Sequence, residues 1–172
     1  MIQRRSWLAI LSLSAAAWAL PAVAADEAPD AMVKRISTEV LNAVKADQAI
    51  QAGDINRIVN LVDTKIMPNV NFTRMTASAV GRYWRQATPE QQKQLQDEFK
   101  TLLVRTYSGA LSQVGDETIS VRPLRAAPTD TEVLVRTEIR GRGDPIQLDY
   151  RLEKTPGEGA GWKIFNLNVL GV

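Results

Sequence analysis

The chain has 172 residues, among them 21 Lys and Arg and 19 Asp and Glu, and it contains neither cysteine nor histidine. The lack of thiol and imidazole excludes disulfide bonds, cysteine and histidine nucleophiles, and the zinc sites built from these ligands. It also removes the commonest general base. The composition therefore favours a binding function over catalysis.

The N-terminus is predicted to be a cleaved export signal, residues 1–24. Arg4 and Arg5 precede an apolar run that ends at Leu20, and Ala22-Val23-Ala24 matches the Ala-x-Ala cleavage pattern. The run is too short and too rich in Ala and Ser for a membrane span. We therefore expect an exported protein, soluble in the periplasm of a Gram-negative bacterium. The paired arginines leave both the Sec and the twin-arginine routes open.

Removal of 24 residues from 172 leaves 148, residues 25–172, which is the size of one domain. Because Arg4 and Arg5 leave with the signal, 19 basic residues then face 19 acidic ones, and the net charge is zero. Nucleic-acid-binding domains normally carry a basic excess. We therefore expect no nucleic-acid partner.

The first half of the remaining chain has the 3.6-residue apolar periodicity of helices. Apolar residues recur at this spacing from Asp30 onward, and again after Asp54, which can cap the second helix. Pro68 ends that second helix, because a proline disfavours helical backbone in the residue before it. A short helical piece is predicted before Trp84.

The clearest helix-start signal is the sequence Thr88-Pro89-Glu90-Gln91. Thr88 can act as the N-cap, Pro89 suits the first helical position, and Gln91 completes a capping box. The helix is predicted to end near Leu111. Its apolar side is predicted to consist of Leu95, Phe99, Leu102, Leu103 and Thr106.

The second half changes to the two-residue alternation of strands. In one strand, Val133, Val135, Thr137 and Ile139 are predicted to face a core, while the residues between them mostly face water. Helices followed by hairpin-linked strands indicate an α+β fold, with helices packed on one face of an antiparallel sheet. The predicted strands are residues 118–124, 133–140, 146–153 and 162–169.

No pattern in the sequence predicts an active site. The chain lacks a P-loop, and the glycine-rich segment Gly157–Gly161 leads into a strand rather than a helix, which indicates a hairpin turn. No acidic cluster has the spacing of a carboxylate metal site. Asp149 and Tyr150 could suggest an acid–base pair, but neighbouring strand residues point to opposite faces. We therefore predict no catalytic residue, no metal and no cofactor.

Two further patterns each allow two interpretations. Apolar and aromatic side chains between the helices and the sheet can form an ordinary packed core or a ligand cavity, and periodicity alone favours the core. Arg136, Arg140 and Arg151 form an outward stripe among acidic residues. The stripe can serve a phosphate or a partner, but the mixture of charges favours a solvated face.

A block of aromatic, arginine and amide residues precedes the last helix, Gly81-Arg82-Tyr83-Trp84-Arg85-Gln86-Ala87-Thr88-Pro89-Glu90-Gln91. Together with Phe72-x-x-Met75 before it and Phe99, Leu103 and Tyr107 after it, this block resembles the centre of the MlaC family. These are periplasmic phospholipid-binding proteins, also called toluene-tolerance or ABC-transporter auxiliary proteins. The strands resemble the family too, in Pro145-Ile146, Asp149-Tyr150-Arg151-Leu152 and Gly161-Trp162-Lys163-Ile164-Phe165.

The resemblance implies a fold like that of nuclear transport factors, with helices wrapped on a curved sheet around an apolar cavity. It implies transport of phospholipid between an outer-membrane lipoprotein–porin complex and an inner-membrane ABC transporter complex, which maintains outer-membrane lipid asymmetry. By the same resemblance, the cavity is lined by Phe72, Met75, Tyr83, Phe99, Leu103 and Tyr107. Strand alternation, not the family, adds Val133, Val135, Leu148, Tyr150 and Phe165.

The sequence departs from the family pattern in two places. Asn166 stands where family members more often have an acidic residue, and the sequence stops at Val172, where they usually continue into a C-terminal helix. We therefore expect a single phospholipid-binding domain, residues 25–172, that either is truncated or lacks this helix. Two other functions stay open: a small-molecule enzyme of isomerase type on the same scaffold, and a module that binds only proteins.

Overall fold

The computed structural model describes residues 27–170, so the predicted export signal and the end of the chain at Val172 lie outside the described residues. Helices fill the first half of this range and strands the second, as predicted. The helices are α1 (Pro29–Ala46), α2 (Gln48–Gln51), α3 (Ile55–Leu61), α4 (Phe72–Val80) and α5 (Pro89–Ser112). The strands are β1 (Thr118–Val121), β2 (Glu132–Arg140), β3 (Ile146–Lys154) and β4 (Trp162–Leu170).

Irregular helical turns connect α3 to α4 and α4 to α5. A π-helical turn, Val62–Ile66, and a 3-10 turn, Met67–Asn69, follow α3, and the 3-10 segment Gly81–Gln86 follows α4. Gly81 has φ of +67°, a left-handed conformation that glycine adopts without strain, and this residue ends the regular helix.

Polar side chains cap the N-termini of α2, α3, α4 and α5. Thr88 Oγ1 accepts a hydrogen bond from the Gln91 backbone N–H at 3.3 Å, and the Gln91 side chain accepts one from the Thr88 N–H at 2.9 Å. This reciprocal pair confirms the predicted capping box. Asp47, Asp54 and Asn71 cap the three preceding helices in a similar way.

The four strands form one antiparallel sheet in the order β1-β2-β3-β4, which confirms the predicted α+β fold. The register places Val135 opposite Tyr150 and Thr137 opposite Leu148, and paired residues point to the same side of a sheet. We call this side the core face. In the β3–β4 turn, Gly157, Gly159 and Gly161 all have positive φ, which confirms the predicted hairpin.

Buried side chains form two clusters. The sheet core joins α1 to the core face, and the helical core joins the C-terminal part of α1 to α2, α3 and α5. Val40 of α1 packs against both. The sheet core consists of Met32, Val33, Ile36, Val133, Val135, Leu152, Trp162 and Ile164. The helical core consists of Val44, Ile50, Ile58, Leu61 and Val104.

Two local expectations were wrong. On α5 the buried residue is Val104, because this residue packs in the helical core with α2 and α3, whereas Leu102 is 58 % exposed and Thr106 is exposed too. Strand β1 ends at Val121 rather than at residue 124. Arg122 still donates its N–H to the Arg136 carbonyl, but Pro123 has no N–H with which to continue the pairing.

The capping box gives a test of the start of α5. We expect Thr88→Ala to lower the free energy of unfolding by about 1 kcal/mol, because the Gln91 N–H then loses its partner. Urea denaturation measures this change. Thr101→Ala is the matched control, since Thr101 is exposed in the middle of the same helix and alanine is the better helix former there. Equal losses in both variants would contradict the proposed role of the cap.

Candidate functional site

The helices contact the sheet at two places. α1 contacts β1 and β2 at one side of the sheet, and α4 contacts β4 at the other edge. The long helix α5 contacts α2, α3 and α4, and so connects the helices of the two sides.

α1 packs on β1 and β2 and covers part of the core face. On β3 and β4, towards the β2–β3 turn, this face stays apolar but is exposed: Ile146 is 41 % exposed and Leu167 is 45 % exposed. The register makes the exposed part continuous, because it pairs Ile139 with Ile146 and Leu148 with Val169. We call this surface the apolar band: Ile139, Ile146, Leu148, Leu167 and Val169. Contiguous apolar surface of this kind is typical of a binding site.

The helices α4 and α5 carry an apolar stripe of their own outside both cores. The Phe72 ring on α4 stacks on the Phe99 ring on α5, with centroids 5.7 Å apart and an interplanar angle of 18°. Leu103 and Tyr107 follow Phe99 at four-residue intervals and so share its side of α5. Leu103 is half-buried and Tyr107 exposed. We call Phe72, Phe99, Leu103 and Tyr107 the aromatic stripe.

Tyr150 lies where the covered and uncovered parts of the core face meet. Its side chain is half-buried, and its hydroxyl lies near the hydroxyl groups of Ser37 on α1 and Thr137 on β2. Burial raises the pKa of the Tyr150 phenol, and the interaction with these two hydroxyl groups partly offsets this rise. The hydroxyl is therefore kept neutral, as a polar point at the inner end of the apolar band.

Comparison with known proteins identifies the family. The protein-family model described as MlaC protein matches residues 34–172 of this chain. The chain belongs to the MlaC family. Toluene tolerance protein ttg2D of Pseudomonas putida is 30 % identical over 172 residues, which cover 99 % of this chain and 76 % of that protein.

A solved structure supports the same assignment. It is the phospholipid-binding protein of Ralstonia solanacearum in complex with a phospholipid, which is 46 % identical to this MlaC-family chain and has a TM-score of 0.78. The match covers 83 % of this chain and 78 % of that one. The family resemblance and the α+β architecture predicted from the sequence are both confirmed.

The residues predicted to line a cavity lie in several places in this MlaC-family protein. Phe72, Phe99, Leu103 and Tyr107 form the aromatic stripe, while Leu148 lies in the apolar band and Tyr150 at its inner end. Val133 and Val135 are buried in the sheet core, and Met75 packs against that core.

Phe165 and Tyr83 lie apart from the apolar band. Phe165 is buried with the Arg74 guanidinium 3.6 Å from its ring centroid. Tyr83 is 56 % exposed on the 3-10 segment after α4, and the Arg82 guanidinium lies over its ring.

Sequence reasoning did not assign Ile139, Ile146, Leu167 and Val169 to the site. Strand alternation could have assigned the first two. Ile139 lies an even number of residues after Val135 on β2, and Ile146 lies two residues before Leu148 on β3, so each pair shares a face. Leu167 and Val169 could not be found in this way. A register shift between Arg151 and Leu152 lets β4 insert one extra residue, so Ile164, Leu167 and Val169 share the core face despite their mixed parity.

Two open recesses lie elsewhere on the surface. One, of about 490 Å³, lies between the 3-10 segment and the start of α5 and includes Tyr83 and Leu95. The other, of about 330 Å³, lies beside the start of α1 and includes Val133 and Trp162. Neither recess includes a residue of the apolar band or of the aromatic stripe, and we take these two apolar surfaces as the candidate site. Among residues 27–170, no helix combines the length and the apolar character needed to cross a membrane.

The buried phenol predicts a pH dependence of stability. The folded-state pKa of Tyr150 is raised, so the stability that this residue contributes is complete below the unfolded-state pKa of about 10 and is lost as the pH rises through the folded-state value. Tyr150→Phe should cost about 1 kcal/mol near neutral pH, because the polar interactions of the hydroxyl with Ser37 and Thr137 are lost. That deficit should narrow above pH of about 10.

Urea denaturation of both proteins at about pH 8 and about pH 11 measures the deficit, on either side of the phenol's ordinary pKa. Tyr107→Phe, at an exposed position, is the control for the loss of a phenol as such. A deficit that is the same at both pH values would show that the Tyr150 hydroxyl titrates as it does in the unfolded chain.

Proposed function

We propose that this MlaC-family protein is a phospholipid carrier that holds acyl chains between the apolar band and the aromatic stripe. The observation that carries the proposal is the continuous apolar surface on the core face that none of the helices within residues 27–170 covers. The phospholipid complex of the 46 % identical Ralstonia solanacearum protein supports it, because the two chains share their fold. Acyl chains are the ligand chemistry that such a surface fits.

The energetics of lipid transfer support a carrier. Removal of one methylene from water is worth about 0.8 kcal/mol, so two acyl chains of about 16 carbons represent roughly 20–25 kcal/mol of exposure cost. A free phospholipid cannot cross an aqueous space at a useful rate against this cost. A site that covers the chains and leaves the headgroup in water removes most of it, and predicts weak headgroup selectivity.

The setting of the carrier follows from the predicted export signal and the family. We infer that the protein works in the periplasm, where it takes up or delivers lipid at an outer-membrane lipoprotein–porin complex and an inner-membrane ABC transporter complex. The chain has no P-loop, so the direction of transport comes from a partner. We propose that the protein is not an enzyme, because the apolar side chains of the apolar band and the aromatic stripe supply neither a nucleophile nor a general base.

Lipid content tests the proposal directly. Protein purified from a periplasmic extract should show bound phospholipid by native mass spectrometry, with the lipid identified after organic extraction. Leu148→Arg in the apolar band and Leu103→Arg in the aromatic stripe should each abolish that lipid, because a guanidinium cannot be buried against acyl chains without a partner. Both positions are half-buried, whereas Val135 is 1 % exposed and its replacement would disrupt the sheet core.

Thr101→Arg is the matched control for Leu103→Arg. It adds the same charge to α5 at an exposed position, about 200° around the helix from Leu103, and should leave the lipid content unchanged. Thermal unfolding of each variant shows that it is folded. Wild-type protein without lipid would contradict the carrier and favour a module that binds only proteins. Folded Leu148→Arg and Leu103→Arg variants with full lipid content would contradict the assigned site.

A further inference from the structure

Arg74 on α4 connects that helix to three strands of the sheet. Its guanidinium lies 3.6 Å from the centroid of the Phe165 ring on β4, a cation–π contact. It pairs with Glu132 on β2 at 2.6 Å and also with Glu153 on β3. A single side chain thus contacts three neighbouring strands.

The two carboxylates have a specific need for this arginine. Glu132 and Glu153 lie directly opposite each other on β2 and β3, and like charges in that arrangement destabilise a sheet. The bridging guanidinium turns the repulsion into two attractive pairs. Hydrogen bonds from Arg74 first to Glu132 and then to Glu153 raise the pKa of the guanidinium, so it stays charged.

The chain before Arg74 is attached to the sheet at the same place. The Asn71 side chain donates to Glu153 at 2.6 Å, and the Asn71 N–H donates to the Ile164 carbonyl at 2.8 Å. The Lys163 ammonium donates to the Pro68 carbonyl at 2.5 Å. The segment from Pro68 to Arg74 is therefore fixed to β3 and β4.

The rest of α4 is held differently. In the part of the chain that the structure describes, every hydrogen bond between α4 or the turn before it and the sheet falls within Pro68–Arg74. Phe72, inside this segment, also stacks on Phe99 of α5, and beyond the segment Met75 packs against the sheet core before the helix ends at Gly81. The hydrogen bonds between α4 and the sheet are thus confined to one end of the helix.

We propose that Arg74 is a positioning residue that fixes the α4 wall of the lipid site and thereby sets the rate at which bound phospholipid leaves. This inference rests on the proposed carrier function. Phe72 lies two residues before Arg74 and belongs to the aromatic stripe, so a shift of α4 moves one wall of the site. Without the guanidinium, Glu132 and Glu153 repel each other, Phe165 loses its cover, and α4 separates from the sheet more readily.

Transfer kinetics test the inference. Protein loaded with a fluorescent phosphatidylethanolamine is mixed with acceptor vesicles of phosphatidylethanolamine and phosphatidylglycerol, and the rate of transfer is followed. We expect Arg74→Gln to accelerate transfer roughly tenfold, since it removes two charge-assisted pairs and a cation–π contact. Glu132→Gln, at an exposed position, removes one pair and should accelerate transfer by a smaller factor.

Val44→Ala separates positioning from a general loss of stability. Val44 is fully buried in the helical core, away from the Arg74 contacts, so its truncation lowers stability without touching the α4 anchor. Thermal unfolding ranks the three variants. Faster transfer in Arg74→Gln and Glu132→Gln than in a Val44→Ala variant of equal or lower stability supports the inference.

Several results would overturn the inference while leaving the carrier intact. In one such result, the wild-type protein carries and transfers lipid, and the Arg74→Gln and Glu132→Gln variants transfer it at the wild-type rate. Another is acceleration that follows thermal stability alone, so that Val44→Ala falls on the same line. If Arg74→Gln does not fold, Glu132→Gln decides the question by itself. Wild-type protein that neither holds nor transfers lipid contradicts the carrier function instead.

Discussion

The core face of the sheet is larger than one helix can cover. Four strands spaced about 4.8 Å apart span roughly 14 Å from β1 to β4, whereas a helix with its side chains is about 10–12 Å wide, and α1 contacts β1 and β2. α1 therefore buries Val133, Val135 and Leu152 and leaves the apolar band beyond them. Burial of each large aliphatic side chain is worth about 1.5–3 kcal/mol. The side chains of the apolar band do not contribute this free energy while they are exposed, and a ligand that covers them gains it.

A single extra residue in β4 determines which side chains complete the band. A strand with uninterrupted alternation would place Asn166 and Asn168 on the same face as Ile164, and would turn Leu167 and Val169 away from it. The bulge reverses this for the second half of the strand. The core face is apolar at this end of β4 as a result, and the asparagines pair with Arg151 and Asp149 on the other face.

The opposite face of the sheet has a different character. Arg140 pairs with Glu138 at 2.6 Å, and Arg136 lies 3.7 Å from Asp149, so two members of the arginine stripe have acidic neighbours. Exposed pairs of this kind contribute little to stability. Their arrangement favours a solvated face of mixed charge over a phosphate site. The core face is therefore the side of the sheet that has an exposed apolar surface.

The sequence by itself determined the local structure. The capping residues of α2 to α5, the glycine turn between β3 and β4, the alternation of β2 and the order of helices before strands depend on residues close in the chain, where backbone geometry and hydrogen bonding act directly. The family was also readable from the sequence, because the segment around Tyr83 and Trp84 is a contiguous motif. All four residues of the aromatic stripe followed from the family resemblance, and helical periodicity alone indicated Phe99 and Leu103.

Only the tertiary structure decided which apolar residues are core and which remain uncovered. Val133 and Leu148 look alike in an alternating strand, yet one lies under α1 and the other beyond it. Leu103 and Val104 are neighbours on one helix, and the packing of α5 on α3 buries the second more completely. Arg74 carries no sequence signal of its contacts with Glu132 and Glu153, which lie 58 and 79 residues away. Burial depends on which elements meet, and that is fixed by the sum of long-range contacts rather than by the local pattern.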